Sequence, residues 1–170
     1  MGEQDTTSVV ALIAHQQLLV EITRYWHSSE TLRRIGERIG YQLAALVAEE
    51  HGGSTAESSL DAVKLVARDV CAKAFARSVD SLKTNHRGTF HLKLNALPWA
   101  PRLPSQSLDS SAEPFLLLAS GLVHGALLLL GFPCDVRSSV EHLTRTDTSD
   151  SDTLADGPPI VIRATSSALR

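Results

Sequence analysis

No Asp, Glu, Lys or Arg interrupts the stretch Phe115–Phe132, FLLLASGLVHGALLLLGF, and the chain is organised around that absence. Ser120 and His124 are its only strongly polar side chains. A helix apolar on every side has to be covered on every side, by protein or by lipid. Eighteen residues make a rod of roughly 27 Å, the short edge of what a bilayer requires. Length alone does not decide, but the flanks do. No Lys or Arg cluster adjoins the stretch to set an orientation in a membrane, and His124 at mid-helix would be costly in lipid. Ser110 or Ser111 can cap the helix, Pro114 suits its first turn, and Gly131 followed by Pro133 stops it. These ends predict a buried helix in a water-soluble domain with no transmembrane segment.

The motifs of chemistry are missing as well. There is no H-E-x-x-H, C-x-x-C, G-x-S-x-G or P-loop, so no catalytic, metal or cofactor-binding residue is assigned. Cys71 and Cys134 form neither a metal nor a redox spacing and read as reduced thiols of a cytosolic protein. A net charge of −3 supplies no basic excess for nucleic acid or an acidic membrane. No charged-then-apolar leader and no N-x-S/T sequon occur, which fits a cytosolic location. Met1, Gly2 and Thr6 do match the M-G-x-x-x-T myristoylation pattern. Glu3 and Asp5 would repel an anionic surface, so a chance match is the expectation. Of seven histidines, His86 and His91 are nearest to one another and are expected to be solvated. His124 follows Ser120 by one turn, but no carboxylate on that helix could orient the imidazole; a bond to Ser120 or to backbone is expected.

What is present suits one domain. With 170 residues and 43% hydrophobic content the chain can build a sizeable core. The eight leucines of Phe115–Phe132 alone could supply about 12–24 kcal/mol of gross burial, as an upper bound. After a polar start expected to be frayed (1–7), Val9–Trp26 reads as a first helix whose apolar residues fall on two sides. Val9, Ile13 and Val20 form one group; Leu12, Leu19, Ile22 and Trp26 form the other. Either the helix is deeply buried or its second stripe meets another chain.

Ser28 or Ser29 caps a second helix reaching about Glu50, with Leu32, Ile35, Gly36, Ile39, Leu43, Leu46 and Val47 on one face. Tyr41 stands opposite, among Ala44, Ala45 and Ala48, as an ordinary exposed tyrosine or a contact anchor. Gly52-Gly53 closes the helix. Ser58 with Asp61 signals a third helix from Ser59 to about Leu82, with Leu60, Val63, Val70, Cys71, Ala74 and Phe75 as its core stripe. Cys71 there reads as a small buried hydrophobe. Asn85, His86, Arg87 and Gly88 form a turn, expected at the junction of third helix and first strand. Thr89–Leu94 alternates as a half-buried strand, with a short partner expected around Leu97–Trp99. Asp135–Glu141 and Ile160–Arg163 form a second hairpin across an acidic loop (144–158) expected to be mobile. Gly121 and Gly125, one turn apart, would let another element approach the central helix closely. The tally is an α+β single domain (1–170): four helices packed on a four-stranded antiparallel sheet, in two layers.

Three runs, IGERIGYQLAALVAE, DSLKTNHRGTFHL and SGLVHGALLLLGF, carry a resemblance. In that order they are similar to the small TRAPP subunits of the subunit-6 type, components of the transport protein particle that tethers vesicles. The likeness covers roughly Arg34 to Val140. LKTNHRG, Leu82–Gly88, is its most specific part, and Gly121, Leu122, Gly125, Ala126, Leu127 and Gly131 match the family's last-helix pattern. His124 departs from it, standing where that pattern usually has Arg, and His51–Ser59 lacks the cysteine that acylated relatives carry. The resemblance implies the four-helix, four-stranded fold and a scaffold role without enzymatic activity. It implies pairing through the first two helices with a subunit-3-type relative, contact with other TRAPP subunits, and indirect action on a Rab-type GTPase in ER–Golgi traffic. A homodimer when isolated is the open alternative. The expected place is the cytoplasm, peripheral to ER and Golgi membranes. A competing reading is a binding domain for a hydrophobic small molecule or acyl chain beside the 115–132 helix.

Overall fold

The computed structural model describes residues 17, 18, 21, 22, 28–53, 56–85, 87–94, 108–140 and 160–166, with backbone alone at 108–112, 140 and 160. The myristoylation pattern, Leu12, Leu19, Trp26, His86, the strand expected at Leu97–Trp99 and the acidic loop lie outside them. Of the helix expected over Val9–Trp26, Gln17, Leu18, Glu21 and Ile22 are described, and all four are helical.

Three helices and four strands occur among the described residues. Helix α1 is Ser29–Glu50. It begins where Ser28, in extended conformation, accepts a bond from the Thr31 N–H, and leaves one of the orphan donors satisfied. Helix α2 comprises an α segment Ser59–Leu65, a π turn Val66–Val70 and a closing α turn Cys71–Phe75. Its N-cap forms where the sequence predicts: Ser58 Oγ accepts from the Asp61 N–H and donates to the Asp61 carboxylate at 2.6 Å. In the π turn the Cys71 N–H bonds Val66, five residues back, and the Ala67 carbonyl accepts instead from the Val79 N–H at 2.9 Å.

That return contact ends α2 seven residues sooner than its pattern suggests. Ala76 turns left-handed at φ 56°, and Ser81–Thr84 is not helix but strand β1. Its partner is β2, Thr89–Leu94, so the first hairpin is built from β1 rather than from Leu97–Trp99. Helix α3, Leu108–Leu129, begins earlier than expected and carries Pro114 inside it instead of in its first turn. Strands β3, Cys134–Val140, and β4, Ile160–Ser166, form the second hairpin in the expected place. The sheet order is β1-β2-β4-β3, antiparallel throughout, with the last strand in the sequence inserted between its second and third.

Strand alternation sends Phe90, Leu92, Leu94, Val136, Ile162 and Ala164 into the core, where they meet α2 and α3. Phe75 packs on Phe115 with ring centroids 6.2 Å apart, and Phe90 meets Phe132 edge-on at 6.0 Å. Helix α3 lies against both α1 and β3, yet its cover is incomplete. Among its leucines Leu118, Leu122 and Leu127 are fully buried, while Leu128 is 50% exposed. The three fully buried ones alone supply roughly 5–9 kcal/mol of gross burial, and Leu116, Leu129 and Leu130 pack on the core in part. Leu60, expected in the core stripe of α2, is exposed as well. Among the described residues no helix is long and apolar enough to cross a membrane.

Where α1 meets α3 the two backbones nearly touch. A methyl group built on Gly36 would overlap the Leu118 carbonyl, and one on Gly40 the Leu122 carbonyl. In return, Gly121 faces the carbonyl of Arg33 and Gly125 that of Glu37. All four glycines are buried. The neighbours are main chain, which cannot swing aside as a side chain would. Gly40→Ala or Gly125→Ala should therefore destabilise by about 1–3 kcal/mol through overpacking, despite alanine's helix-propensity advantage of roughly 1 kcal/mol. A urea midpoint that stays put or rises would rule out the close crossing.

Candidate interaction surface

The apolar residues of α1 divide into two ridges. Leu32, Gly36, Gly40, Ala44 and Val47 are buried, so Ala44 belongs to the core and not, as expected, to the surface around Tyr41. Ile35, Ile39 and Leu43 are only half-buried, and Leu46 is 45% exposed, although the sequence places all of them on the core face. The shift follows from the glycines: the tightest approach to α3 centres on Gly36 and Gly40, which turns the larger side chains to its flank. Tyr41 is 49% exposed, as expected, with Ala45 half-buried one turn on. Ile22 is half-buried. Leu18, absent from both predicted stripes, is 58% exposed. Its signal lay in the doublet Leu18-Leu19, which at helical spacing cannot point both ways.

Polar groups tie this helix to the rest. His124 on α3 donates through Nδ1 to Glu37 Oε1 at 2.8 Å, while Ser120 Oγ donates to the Leu117 carbonyl at 2.9 Å. The carboxylate for His124 thus comes from another helix, 87 residues away, and neither Ser120 nor backbone takes that role. Ser, His and Glu lie near one another here, but with its hydroxyl bonded to its own helix Ser120 is not arranged as a nucleophile. Arg33 Nε stands 3.6 Å from the same Glu37 oxygen and reaches toward Asp135 on β3. At the far end of α1, Glu50 pairs with Lys73 at 2.9 Å and His51 with Asp69 at 3.2 Å. The Arg68 guanidinium holds the Asp69 carboxyl below its usual range.

The turn expected before the first strand is instead the tip of the β1–β2 hairpin. Asn85 Oδ1 accepts from the Arg87 and Thr89 N–H groups at 2.9 and 3.1 Å, mimicking a turn of main chain. Gly88 holds φ 77°, and its carbonyl accepts from the Ser166 N–H, pinning the tip to the end of β4. Arg87 is exposed. Two cavities, of about 320 and 330 Å³, open at β1–β2 and beside the π turn; neither is lined by α3. Among the described residues no group of three His, Cys, Asp or Glu could hold a metal. Burial pushes the Cys71 thiol up to about 12, and burial with Asp135 pushes Cys134 up to about 11.

The sequence profile of the family described as transport protein particle (TRAPP) component matches residues 8–155. The chain belongs to that family. Trafficking protein particle complex subunit 6A of Mus musculus is 37% identical over 68% of this chain and 72% of its own length. The Homo sapiens subunit 6A is 33% identical over the same shares. Subunit 6b of Danio rerio is 30% identical over 74% of this chain and 86% of its own. The TRAPP component described here is accordingly of the subunit 6 type. A crystal structure of a subunit 3 from Naegleria fowleri, covalently bound to palmitic acid, superposes with a TM-score of 0.62. It covers 95% of this chain and 96% of its own at 12% identity, which supports the α+β fold.

Two outcomes follow for this TRAPP component. Gly88→Val should lower stability by roughly 1–3 kcal/mol, since a β-branched residue resists positive φ. If the variant keeps its denaturation midpoint but loses a partner, the turn is a contact site instead. With pKa values near 11 and 12, both thiols are almost wholly protonated at neutral pH. Iodoacetamide should label them only after unfolding in urea, as mass spectrometry would read; rapid labelling of either in the native protein would contradict their burial.

Proposed function

We propose that this TRAPP component is a non-catalytic scaffold that pairs, through α1 and the helix expected over Val9–Trp26, with a subunit-3-type relative. The observation that carries the reading is the outer ridge of α1: Ile35, Ile39, Leu43 and Leu46 half-buried or exposed, with Tyr41 exposed across the solvent face of the same helix. A ridge of four aliphatic residues is more than a solvated helix face requires. It has the make-up of the apolar centre of an interface, with Arg34 and Arg38 exposed nearby as candidates for a polar rim. Leu12, Leu19, Ile22 and Trp26 would add the fourth helix's stripe to the same contact. The surface buried would be roughly 800 Å² per partner. Acting this way in ER–Golgi traffic, in the cytoplasm and peripheral to those membranes, the protein would help hold together the assembly that acts on a Rab-type GTPase. Exchange would be carried out by other subunits.

The test is paired, with circular dichroism for the fold and co-purification with a recombinant subunit-3-type relative for assembly. Tyr41→Asp with Ala45→Asp, and separately Leu19→Asp with Trp26→Ala, should keep the helical spectrum and lose the partner. Aromatic anchors such as Trp26 and Tyr41 are each expected to contribute about 2 kcal/mol or more. If both double variants fold and still bind normally, the pairing surface lies elsewhere.

A further inference from the structure

The sheet places one basic side chain from each strand in a single row. Lys83 pairs with His91, His91 with Arg163, and Arg163 with Arg137. Residues in register on neighbouring strands project to the same face. The adjacent rows, Leu82–Leu92–Ile162 and Phe90–Ala164–Val136, face the core, so the basic row crosses the opposite face. Lys83, Arg163 and Arg137 are exposed, and His91 is half-buried between them. At ~4.8 Å between strands the row runs about 14 Å. Lys93, two residues from His91, lies on the same face.

Lys83 and Arg163 flank His91 in this row, and their charge is not offset within the described residues. Lys83, His91 and Arg163 have no carboxylate partner among them. The one carboxylate of the face, Asp135, is engaged by Arg137 at 3.1 Å. His91 is held below its usual range by burial and then by Arg163 and Lys83, as expected beside unneutralised cations. All this stands on a chain whose net charge is −3. Lys83, His91 and Lys93 also line a recess of about 320 Å³, together with Ser81, Thr84, Asn85 and Val161.

We propose that the outer face of the sheet is a docking surface for an acidic segment of a protein partner, its carboxylates seated over Lys83, His91 and Arg163. β1 is an edge strand of the sheet, and the recess lies beside it. A recess beside Lys83 and His91 admits one chain; a flat anionic bilayer would reach the protruding Lys83, Arg163 and Arg137 but not that recess. The negative charge of the rest of the chain also opposes a bilayer more than a slender peptide. This surface and the α1 ridge are separate, so neither depends on the other.

The probe is a fluorescein-labelled deca-glutamate peptide added to the full chain, with vesicles of phosphatidylcholine and phosphatidylserine as the rival. The peptide should bind and shift amide resonances centred on Lys83, His91 and Arg163, and its affinity should fall with added salt. Lys83→Glu with Arg163→Glu should weaken binding by about tenfold or more, while Lys64→Glu on α2 leaves it unchanged. Circular dichroism checks the fold; should the double reversal fail to fold, the shift map on the unaltered protein decides. Absent peptide binding, shifts centred elsewhere, equal binding by variant and control, or capture by vesicles alone would each overturn the proposal.

Discussion

The crossing of α1 and α3 is the constraint on which the rest depends. Arg33 and Glu37 on one helix meet Gly121 and Gly125 on the other, while Gly36 and Gly40 meet Leu118 and Leu122. Each pair advances by four residues on both helices, so the two rods run together turn for turn. With main chain against main chain there is no flexible side chain to absorb a slip, and the register is fixed by steric exclusion rather than by attraction. His124 is thereby brought to Glu37, and Arg33 toward Asp135 on the sheet. The same contact turns the bulkier residues of α1 away from α3, which is how a helix with a clean apolar stripe comes to keep half of it uncovered.

Period and punctuation explain what could be read without coordinates. The alternation in Thr89–Leu94, the Ser58–Asp61 cap and the doubled glycines of α3 each encode a local geometry, and each appears where expected. The early end of α2 could not be read that way. No Gly or Pro marks it; the left-handed position is held by Ala76, and the stop depends on a carbonyl freed by the π turn and claimed by Val79. β1 was hidden for the same reason, and with it the true place of the Asn85–Gly88 turn. The partner of His124 was illegible because it sits 87 residues away. On α1, a helical wheel ranks every Ile and Leu as core, whereas here Gly36 and Gly40 mark the core with Leu32 and Val47, and Ile35, Ile39, Leu43 and Leu46 form its border.

Membership in the TRAPP component family supplies what physical reading alone does not, a setting in which uncovered surface has a use. The protein has two such surfaces of opposite character. One is a helical ridge of aliphatic residues, suited to water exclusion over a broad area. The other is a row of cations on the far side of the sheet, suited to long-range attraction and sensitive to salt. A component that bridges neighbours can use both without conflict, since occupation of one leaves the other open.

The strand order has a consequence for how the chain is made. β4 is the last of the described strands to be synthesised, yet it stands between β2 and β3, and those two do not pair with each other. On the ribosome, everything up to β3 can emerge and collapse while the middle of the sheet is still vacant. Through that interval the inward edges of β2 and β3 are open to any extended chain nearby. The nascent protein is thus most exposed to mispairing just before β4 emerges, and that strand completes both halves at once.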